Sequence, residues 1–284
     1  MRSLVRRVSI LAACLLLSTG ARAADDSALE LPFDLYDDHL IVVRGSIGQL
    51  DELRFLIDTG SARTIIDRKV ADKLHVQLLP GALKFQAFDE PGEAYRAAIP
   101  SLTYGPVSVP AFSGLVARLS SMFGAGRIHA IVGLDLLRLS SFAIDYRSRR
   151  VEIGPVADSA VSVPFQSRFP FLSVDVNVEG RSMRLMVDTA ASRLTLFQNR
   201  LPSRLPRFQM RGQRAIPNAI GLSHVVDIEL LDVRLERTAW PGRALLLEVP
   251  AESYQGLEGV LGALSRALKR ATFDFERNRF GWEE

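Results

Sequence analysis

Short apolar runs separated by turn-forming residues make up most of the chain from residue 39 onward. Runs such as 39–46, 53–57 and 64–66 are rich in β-branched residues and have the length of strands. Helical spacing occurs in only a few short segments. One of them, 68–74, follows Asp67, a residue type that caps helices. The pattern predicts an all-β protein with a few short helices.

The order of these runs occurs twice along the chain. Four pairs of landmarks keep a spacing of 129 or 130 positions: Asp58 and Asp188, Gly133 and Gly262, Asp145 and Asp274, Arg150 and Arg279. Unrelated apolar runs would not keep this register, so we interpret it as an internal duplication. It predicts two pseudo-symmetric β lobes, residues 35–155 and 164–284, with a cleft between them and a linker at 156–163. The second lobe is the more degenerate of the two.

Within this repeat, turn signals predict local structure. Residues 84–88 and 94–99 flank the polar segment 89–93 and are typical of a β-hairpin. The pattern predicts a second hairpin within 208–219 and a helix over 263–271.

The first 23 residues have the pattern of a secretory signal peptide. Three arginines within residues 1–7 precede the apolar core 8–17, and Ala21-Arg22-Ala23 is a small-x-small cleavage pattern. We therefore expect a periplasmic or secreted mature protein. Cys14 would permit lipoprotein anchoring instead, but only six residues separate it from Arg7, which is a poor context for that signal.

The charge balance changes once the leader is set aside. The chain has 35 Lys and Arg against 32 Asp and Glu, and the leader holds four arginines and no acids, which leaves 31 against 32. A net charge of −1 gives no support for a nucleic-acid partner. No later segment approaches the roughly 18 apolar residues of a transmembrane helix. We expect a monomer without a membrane span after cleavage.

Metal and cofactor chemistry lack sequence signals. Cys14 is the one cysteine, and no two of the four histidines have ligand spacing. Neither a Gly-rich phosphate loop nor a Gly-x-Ser-x-Gly elbow is present. We expect no metal and no cofactor.

Two short phrases end the repeated apolar strands: Asp58-Thr59-Gly60-Ser61 and Asp188-Thr189-Ala190. A carboxylate beside an apolar interior is unfavourable unless it is paired or used. Two related lobes suggest a two-fold axis that brings Asp58 and Asp188 face to face, where they would share one proton. One could then accept a proton from water while the other polarises a carbonyl, which is general acid–base hydrolysis.

These phrases resemble those of the pepsin and retropepsin group of aspartic peptidases, over roughly residues 35–284. The resemblance includes Ile131-Val132-Gly133 and is greatest to the retropepsin-like branch in a bacterial, single-chain, two-lobe form. It implies an endopeptidase that acts on peptide or protein substrates, with Asp58 and Asp188 as catalytic residues. It also implies hydroxyl bonds from Thr59 and Thr189 across the axis.

Further roles follow from the same resemblance. Gly60, Ser61 and Ala190 would support the two carboxyl groups, and Gly133 and Gly262 would be structural. The hairpin tip would form a flap over the substrate, with the residues Phe88, Asp89, Glu90, Pro91 and Gly92.

The second phrase departs from the family pattern. Ala190 stands in place of glycine, and we expect its methyl group to crowd the loops beneath the carboxyl groups. Ala191 replaces the hydroxyl of Ser61. We expect the Ser61 hydroxyl to favour ionised Asp58, so that Asp188 more often holds the shared proton.

Three alternatives remain open at this stage. Asp58 alone could be a capping or turn aspartate. The chain could be a peptide-binding module that lost catalysis through Ala190. An active enzyme could also arise by pairing the first halves of two separate chains.

Overall fold

The computed structural model describes residues 28–87, 90–119, 128–168, 170–201, 208–217, 222–250 and 253–284. At residues 85–87, 90–92, 167–168, 216–217 and 222–223 it describes the backbone alone. The predicted signal peptide 1–23, with Cys14, and the flap residues Phe88 and Asp89 lie outside the described residues.

The first half of the chain is mostly β. Its strands are β1 (Leu29–Tyr36), β2 (Leu40–Ile47), β3 (Leu50–Ile57), β4 (Ile65–Asp67), β5 (Leu78–Ala87), β6 (Glu90–Ile99), β7 (Leu102–Tyr104), β8 (Val107–Val109), β9 (Phe112–Ala117), β10 (Ala130–Val132), β11 (Phe142–Asp145) and β12 (Arg150–Ile153). Two short helices, α1 (Arg68–Lys73) and α2 (Leu134–Leu137), lie among them. The predicted cap of α1 is confirmed, since the Asp67 side chain accepts a hydrogen bond from the Lys69 N–H.

The second half has a similar composition of elements. Its strands are β13 (Val161–Pro164), β14 (Gln166–Arg168), β15 (Phe171–Val178), β16 (Arg181–Val187), β17 (Leu194–Phe197), β18 (Gln209–Pro217), β19 (Leu222–Glu229), β20 (Val233–Leu235), β21 (Thr238–Ala239), β22 (Arg243–Leu247), β23 (Gly259–Leu261), β24 (Arg270–Asp274) and β25 (Arg279–Glu283). The helix α3 (Leu264–Ala267) and a short 3-10 helix (Gln198–Arg200) complete it. The predicted all-β fold class is confirmed.

The two halves have the same strand order. In the first half the sheet runs β2-β3-β10-β4-β9-β6-β5, and in the second it runs β15-β16-β23-β17-β22-β19-β18. The parallel pairs also correspond: β3 with β10 and β4 with β9, against β16 with β23 and β17 with β22. The repeat read from the sequence is therefore matched by a repeated topology.

A shared sheet joins the halves. Its strands run β13-β25-β24-β11-β12-β1, and the pairing of β11 with β24 places Phe142 opposite Phe273. These two rings stack with centroids 4.6 Å apart. Arg270 on β24 also forms a bidentate ion pair with Glu152 on β12. The strand β13 begins at Val161 and so overlaps the end of the predicted linker.

The strand β1 was not predicted from the sequence. Leu31 and Phe33 are buried while the residues between and beside them are exposed, which is the alternation of a half-buried strand. Pro32, which has no N–H to donate, stands where β1 changes partner from β12 to β2. The proline weakens the strand signal, but the alternation of apolar and polar residues could have revealed it.

Two local predictions in the second half were wrong. The segment 208–219 does not contain a whole hairpin, because β18 is one strand that pairs with β19. The helix predicted over 263–271 ends at Ala267, since strand pairing with β11 and β25 begins at Arg270. In both places, pairing with strands that are distant in the sequence determines the structure, and the turn or helix preference of the segment itself does not.

The ends of β3 and β16 are buried on both faces. Phe55 and Ile57 point into the main core, whereas Leu56 belongs to a second apolar cluster on the other face. Leu185, Met186 and Val187 are buried at the end of β16. Burial on both faces explains why these strands end in continuous apolar runs, and it places the next residue of each close to the interior.

Across the part of the chain that the structure describes, none of the helices has the length and apolar character required to cross a membrane.

Candidate active site

Equivalent parallel strand pairs deliver Asp58 and Asp188. At the end of β3, Ile57 is paired with Val132 of β10, and the Asp58 N–H donates to the Val132 carbonyl at 3.1 Å. At the end of β16, the Asp188 N–H donates in the same way to the Leu261 carbonyl at 3.2 Å. The backbone of each aspartate is therefore fixed by the sheet of its own half.

The structure brings the two carboxyl groups together. The side chains of Asp58 and Asp188 lie within hydrogen-bonding reach of each other. The carboxyl group of Asp188 also lies against Gly60 of the other half: a Cβ added at Gly60 would be 2.8 Å from Asp188 Oδ1 and closer still to Oδ2. Asp188 is buried at 7% exposure.

Thr59 and Thr189 connect the halves beneath the carboxyl groups. The Thr59 hydroxyl donates to the Val187 carbonyl at 2.9 Å, and the Thr189 hydroxyl donates to the Ile57 carbonyl at 2.8 Å. Each hydroxyl also accepts the backbone N–H of the other threonine at 3.1 Å. The four hydrogen bonds are buried and reciprocal, so the position of one aspartate is fixed relative to the other.

Backbone N–H groups bind the carboxyl groups unequally. Asp58 Oδ1 accepts from the Gly60 N–H at 2.8 Å. Asp188 Oδ1 accepts from the N–H groups of Ala190 and Ala191, at 2.7 and 3.1 Å. Because an N–H donor stabilises the charged form of a carboxyl group, Asp188 is better prepared to be ionised.

Burial raises the pKa of both carboxyl groups. For Asp58, desolvation and then repulsion by Asp188 raise the pKa well above its usual range. For Asp188, desolvation raises the pKa, while the N–H groups of Ala190 and Ala191 and the hydrogen bond with Asp58 oppose that rise. The pair is therefore arranged to retain one proton at a pH where exposed aspartates are ionised.

The expectation for Ser61 was wrong. Its hydroxyl donates to the Arg63 carbonyl at 2.8 Å and does not donate to Asp58. A hydroxyl has one proton to donate, so this local turn removes the predicted support for ionised Asp58. The assignment of the shared proton to Asp188 loses its basis for the same reason.

Crowding of the loops beneath the carboxyl groups by the Ala190 methyl group stays a prediction. Ala190 packs against an apolar cluster of the first half, which includes Leu56, Ile65 and Ile131. A glycine is required in the other half-site, at residue 60, because the carboxyl group of Asp188 fills the space that a Cβ atom of residue 60 would occupy.

Gly133 and Gly262 permit a close approach of backbone behind each aspartate. A Cβ at Gly133 would be 2.6 Å from the carbonyl carbon of Arg63, and one at Gly262 would be 2.7 Å from Ala191 Cβ. Both glycines thus pack against the loop that follows the aspartate of their own half, which is a structural use.

A polar pair that was not identified from the sequence also holds the first of these loops. Asp135 Oδ1 accepts from the Thr64 N–H at 2.8 Å and from its hydroxyl at 2.7 Å. The Thr64 hydroxyl in turn accepts the Gly133 N–H at 3.1 Å. The sequence offered one indication of this pair, because Asp135 lies two residues after Gly133 in the Ile131-Val132-Gly133 motif.

The predicted flap lies on the hairpin of β5 and β6. These strands are paired up to Ala87 and Glu90, and the predicted flap residues Phe88 and Asp89 between them lie outside the described residues. Glu90, Pro91 and Gly92 belong to β6, where only their backbone is described. The hairpin of β18 and β19 holds the corresponding place in the other half.

Within the described ranges, no cluster of His, Cys, Asp or Glu side chains is suited to hold a metal ion. The chemistry that this arrangement supports is proton transfer between two carboxyl groups and a water or substrate atom placed between them.

Comparison with known proteins points in the same direction for the first half. The sequence model of a family described as aspartyl protease matches residues 43–136. The matched segment contains Asp58, Thr59, Gly60 and Gly133 and ends before Asp188. Among curated proteins, no sequence matches this chain. The family match supports an aspartic protease-like family and suggests peptidase activity.

Proposed function

We propose that this chain is an exported aspartic endopeptidase that hydrolyses peptide bonds with Asp58 and Asp188. One observation carries the proposal: two aspartates at the ends of repeat-equivalent strands lie within hydrogen-bonding reach, above a reciprocal pair of threonines. The leader pattern supports export to the periplasm or the medium.

The reaction needs one ionised and one protonated carboxyl group. The carboxylate takes a proton from water as the water oxygen forms a bond to the carbonyl carbon of the substrate. The carboxyl group gives its proton to the carbonyl oxygen, which yields a neutral tetrahedral diol. The first group, now protonated, then donates to the amide nitrogen as the carbon–nitrogen bond breaks. A hydroxyl proton of the diol returns to the second group, which restores the starting state.

The hairpin of β5 and β6 is the proposed cover of the substrate. It lies at the edge of the first-half sheet, and its strands are paired up to Ala87 and Glu90. A cover of this kind would exclude water other than the reacting molecule and would strengthen the electrostatic effect of the carboxyl groups.

Cleavage of an unstructured protein tests the proposal. Wild-type protein is incubated with the substrate from about pH 3 to about pH 7, and new internal termini are identified by mass spectrometry. We expect cleavage by the wild type and none by Asp58→Asn or Asp188→Asn. Cleavage by both variants would contradict the proposal. Binding of peptides without cleavage would favour the binding-module alternative, and activity that is lost on dilution while Asp188→Asn is harmless would favour pairing of separate chains.

A further inference from the structure

The two half-sites differ at the residue that follows the threonine. At Gly60 there is no room for a side chain, because the carboxyl group of Asp188 lies directly over the Cα atom. Real Cβ atoms do not approach other atoms as closely as one at residue 60 would approach Asp188. The Asp188 carboxyl group thus leans across the junction onto the loop of the first half.

Residue 190 occupies the equivalent place in the second half and already carries a methyl group. That methyl group packs against the apolar cluster of Leu56, Ile65 and Ile131. Because a methyl group and a carboxyl group cannot share one space, the Asp58 carboxyl group cannot approach residue 190 as closely as Asp188 approaches residue 60. The two half-sites therefore differ in the space that they offer to the opposite carboxyl group.

This difference in space accompanies a difference in hydrogen bonding. The Asp188 Oδ1 atom accepts hydrogen bonds from two N–H groups of its own loop, at 2.7 and 3.1 Å. Asp58 Oδ1 accepts one close N–H group, from Gly60 at 2.8 Å, with a weaker contribution from the Ser61 N–H. The Ser61 hydroxyl is directed to Arg63.

In the described part of the chain, the arginines of the two loops are paired with carboxylates outside the dyad. The strands β10 and β23, which pair with the strands that deliver the aspartates, have no titratable side chain between Ala130 and Val132 or between Gly259 and Leu261. The charged residues of the two loops are Arg63 and Arg193. Arg63 lies 3.5 Å from Asp135, and Arg193 lies 2.7 Å from Asp227. Among the described residues, the difference between the two carboxyl groups lies in the N–H groups that the two loops donate.

We infer that Ala190 is a positioning residue that gives the two aspartates fixed and different roles. Its methyl group keeps Asp58 out of the pose that Asp188 adopts. Asp188 is then the carboxylate that takes the proton from water, and Asp58 carries the proton that passes to the substrate carbonyl. The catalytic part of this inference rests on the proposed peptidase function.

A matched pair of variants tests the role of the methyl group. Gly60→Ala places a methyl group against Asp188 and is expected to reduce kcat/KM by about 100-fold or more. Ala190→Gly makes the half-sites alike. It should keep activity within about 10-fold of wild type and narrow the bell-shaped pH–rate profile, since two similar acids titrate closer together than two unequal ones. Ala157→Gly, at an exposed residue outside the site, is the control and should leave the profile unchanged.

A profile for Ala190→Gly that coincides with the wild-type profile would overturn the inference. A residue with only a structural role would change stability or kcat without moving the two limbs of the profile. Because Gly60→Ala could prevent folding, the result for Ala190→Gly decides this test.

Infrared difference spectroscopy tests the location of the proton without any need for activity. Spectra are recorded just above the pH at which exposed carboxyl groups ionise, where the carbonyl stretch of a protonated carboxyl group is resolved from carboxylate bands. With the pH then raised stepwise, we expect that band in the wild type and expect it to persist to a higher pH in Asp188→Asn than in Asp58→Asn. The reverse pattern would overturn the inference. If the wild type cleaved nothing, the proposed function would fail while this measurement would still decide where the proton lies.

Discussion

Thr59 and Thr189 each bind the backbone of the opposite half through a donated and an accepted hydrogen bond. Both side chains are almost fully buried, at 0% and 3% exposure. Each threonine directly follows an aspartate, so the pair sets the distance between the two carboxyl groups. The stability of the junction and the geometry of the site therefore depend on the same four hydrogen bonds.

Thr59→Val is predicted to destabilise the protein by roughly 2–4 kcal/mol. The substitution keeps the shape of the side chain, but it leaves the Val187 carbonyl and the Thr189 N–H buried without partners, at about 1–3 kcal/mol each. Urea denaturation followed by circular dichroism measures the loss. Thr59→Ser, which keeps the hydroxyl, should lose less.

Thr103→Val provides a matched control on the partly exposed strand β7. It should change the free energy of unfolding by no more than about 0.5 kcal/mol. An equal effect of Thr59→Val and Thr103→Val would show that the bonds between the halves contribute nothing to stability.

Asp58→Asn is predicted to stabilise the protein at neutral pH and not at acidic pH. The folded state raises the pKa of Asp58, mainly by burial and then by repulsion from Asp188. A carboxyl group with a raised pKa binds its proton more tightly in the folded state. Stability therefore falls as the pH rises from the unfolded pKa, about 3.9, through the folded pKa. The loss is about 1.4 kcal/mol for each unit of difference, and an asparagine does not incur it.

Thermal unfolding from about pH 3 to about pH 7 measures this effect. The melting temperatures of the wild type and Asp58→Asn should coincide at the acidic end and diverge toward neutral pH, with the variant more stable. The exposed Asp51→Asn is the control and should follow the wild type. A variant that is less stable than the wild type at pH 7 would contradict the raised pKa.

Thr64 and Asp135 are predicted to be energetically coupled. Asp135 accepts two hydrogen bonds from Thr64, whereas the equivalent residues of the other half, Leu194 and Leu264, are buried and apolar. Thr64→Val and Asp135→Leu should each destabilise the protein. The double variant should lose less than the sum, with a coupling of about 0.5–3 kcal/mol in urea denaturation. Strict additivity would show that the pair acts as two independent residues.

The sequence predicts the parts of the fold that rest on repetition. The spacing of Asp58 and Asp188 indicates two equivalent strand ends, and the structure brings these ends together. The cap of α1 by Asp67 was also predictable, because it depends on residues adjacent in the chain. A pattern that occurs twice in register has more weight than either copy alone.

The details that escaped prediction depend on contacts between distant segments or on loop geometry. Nothing in the sequence indicates that the Ser61 hydroxyl turns to Arg63, or that Ala190 finds an apolar neighbour in the opposite half. The helix α3 ends where β24 begins to pair with β11, and the helix propensities of the residues in this segment do not predict that pairing. Family resemblance alone would place a glycine at residue 190 and would miss the asymmetry that follows from alanine.

The central claim is that Asp58 and Asp188 act as one unit, and a double-mutant comparison of cleavage rates tests it most directly. The kcat/KM for one peptide is measured for the wild type, Asp58→Asn, Asp188→Asn and the double variant, with Asp51→Asn as the control. We predict that each single variant loses about 1,000-fold or more and that the double variant loses no more than either, as residues acting together do. Losses that multiply in the double variant, or a single variant with wild-type activity, would contradict the account.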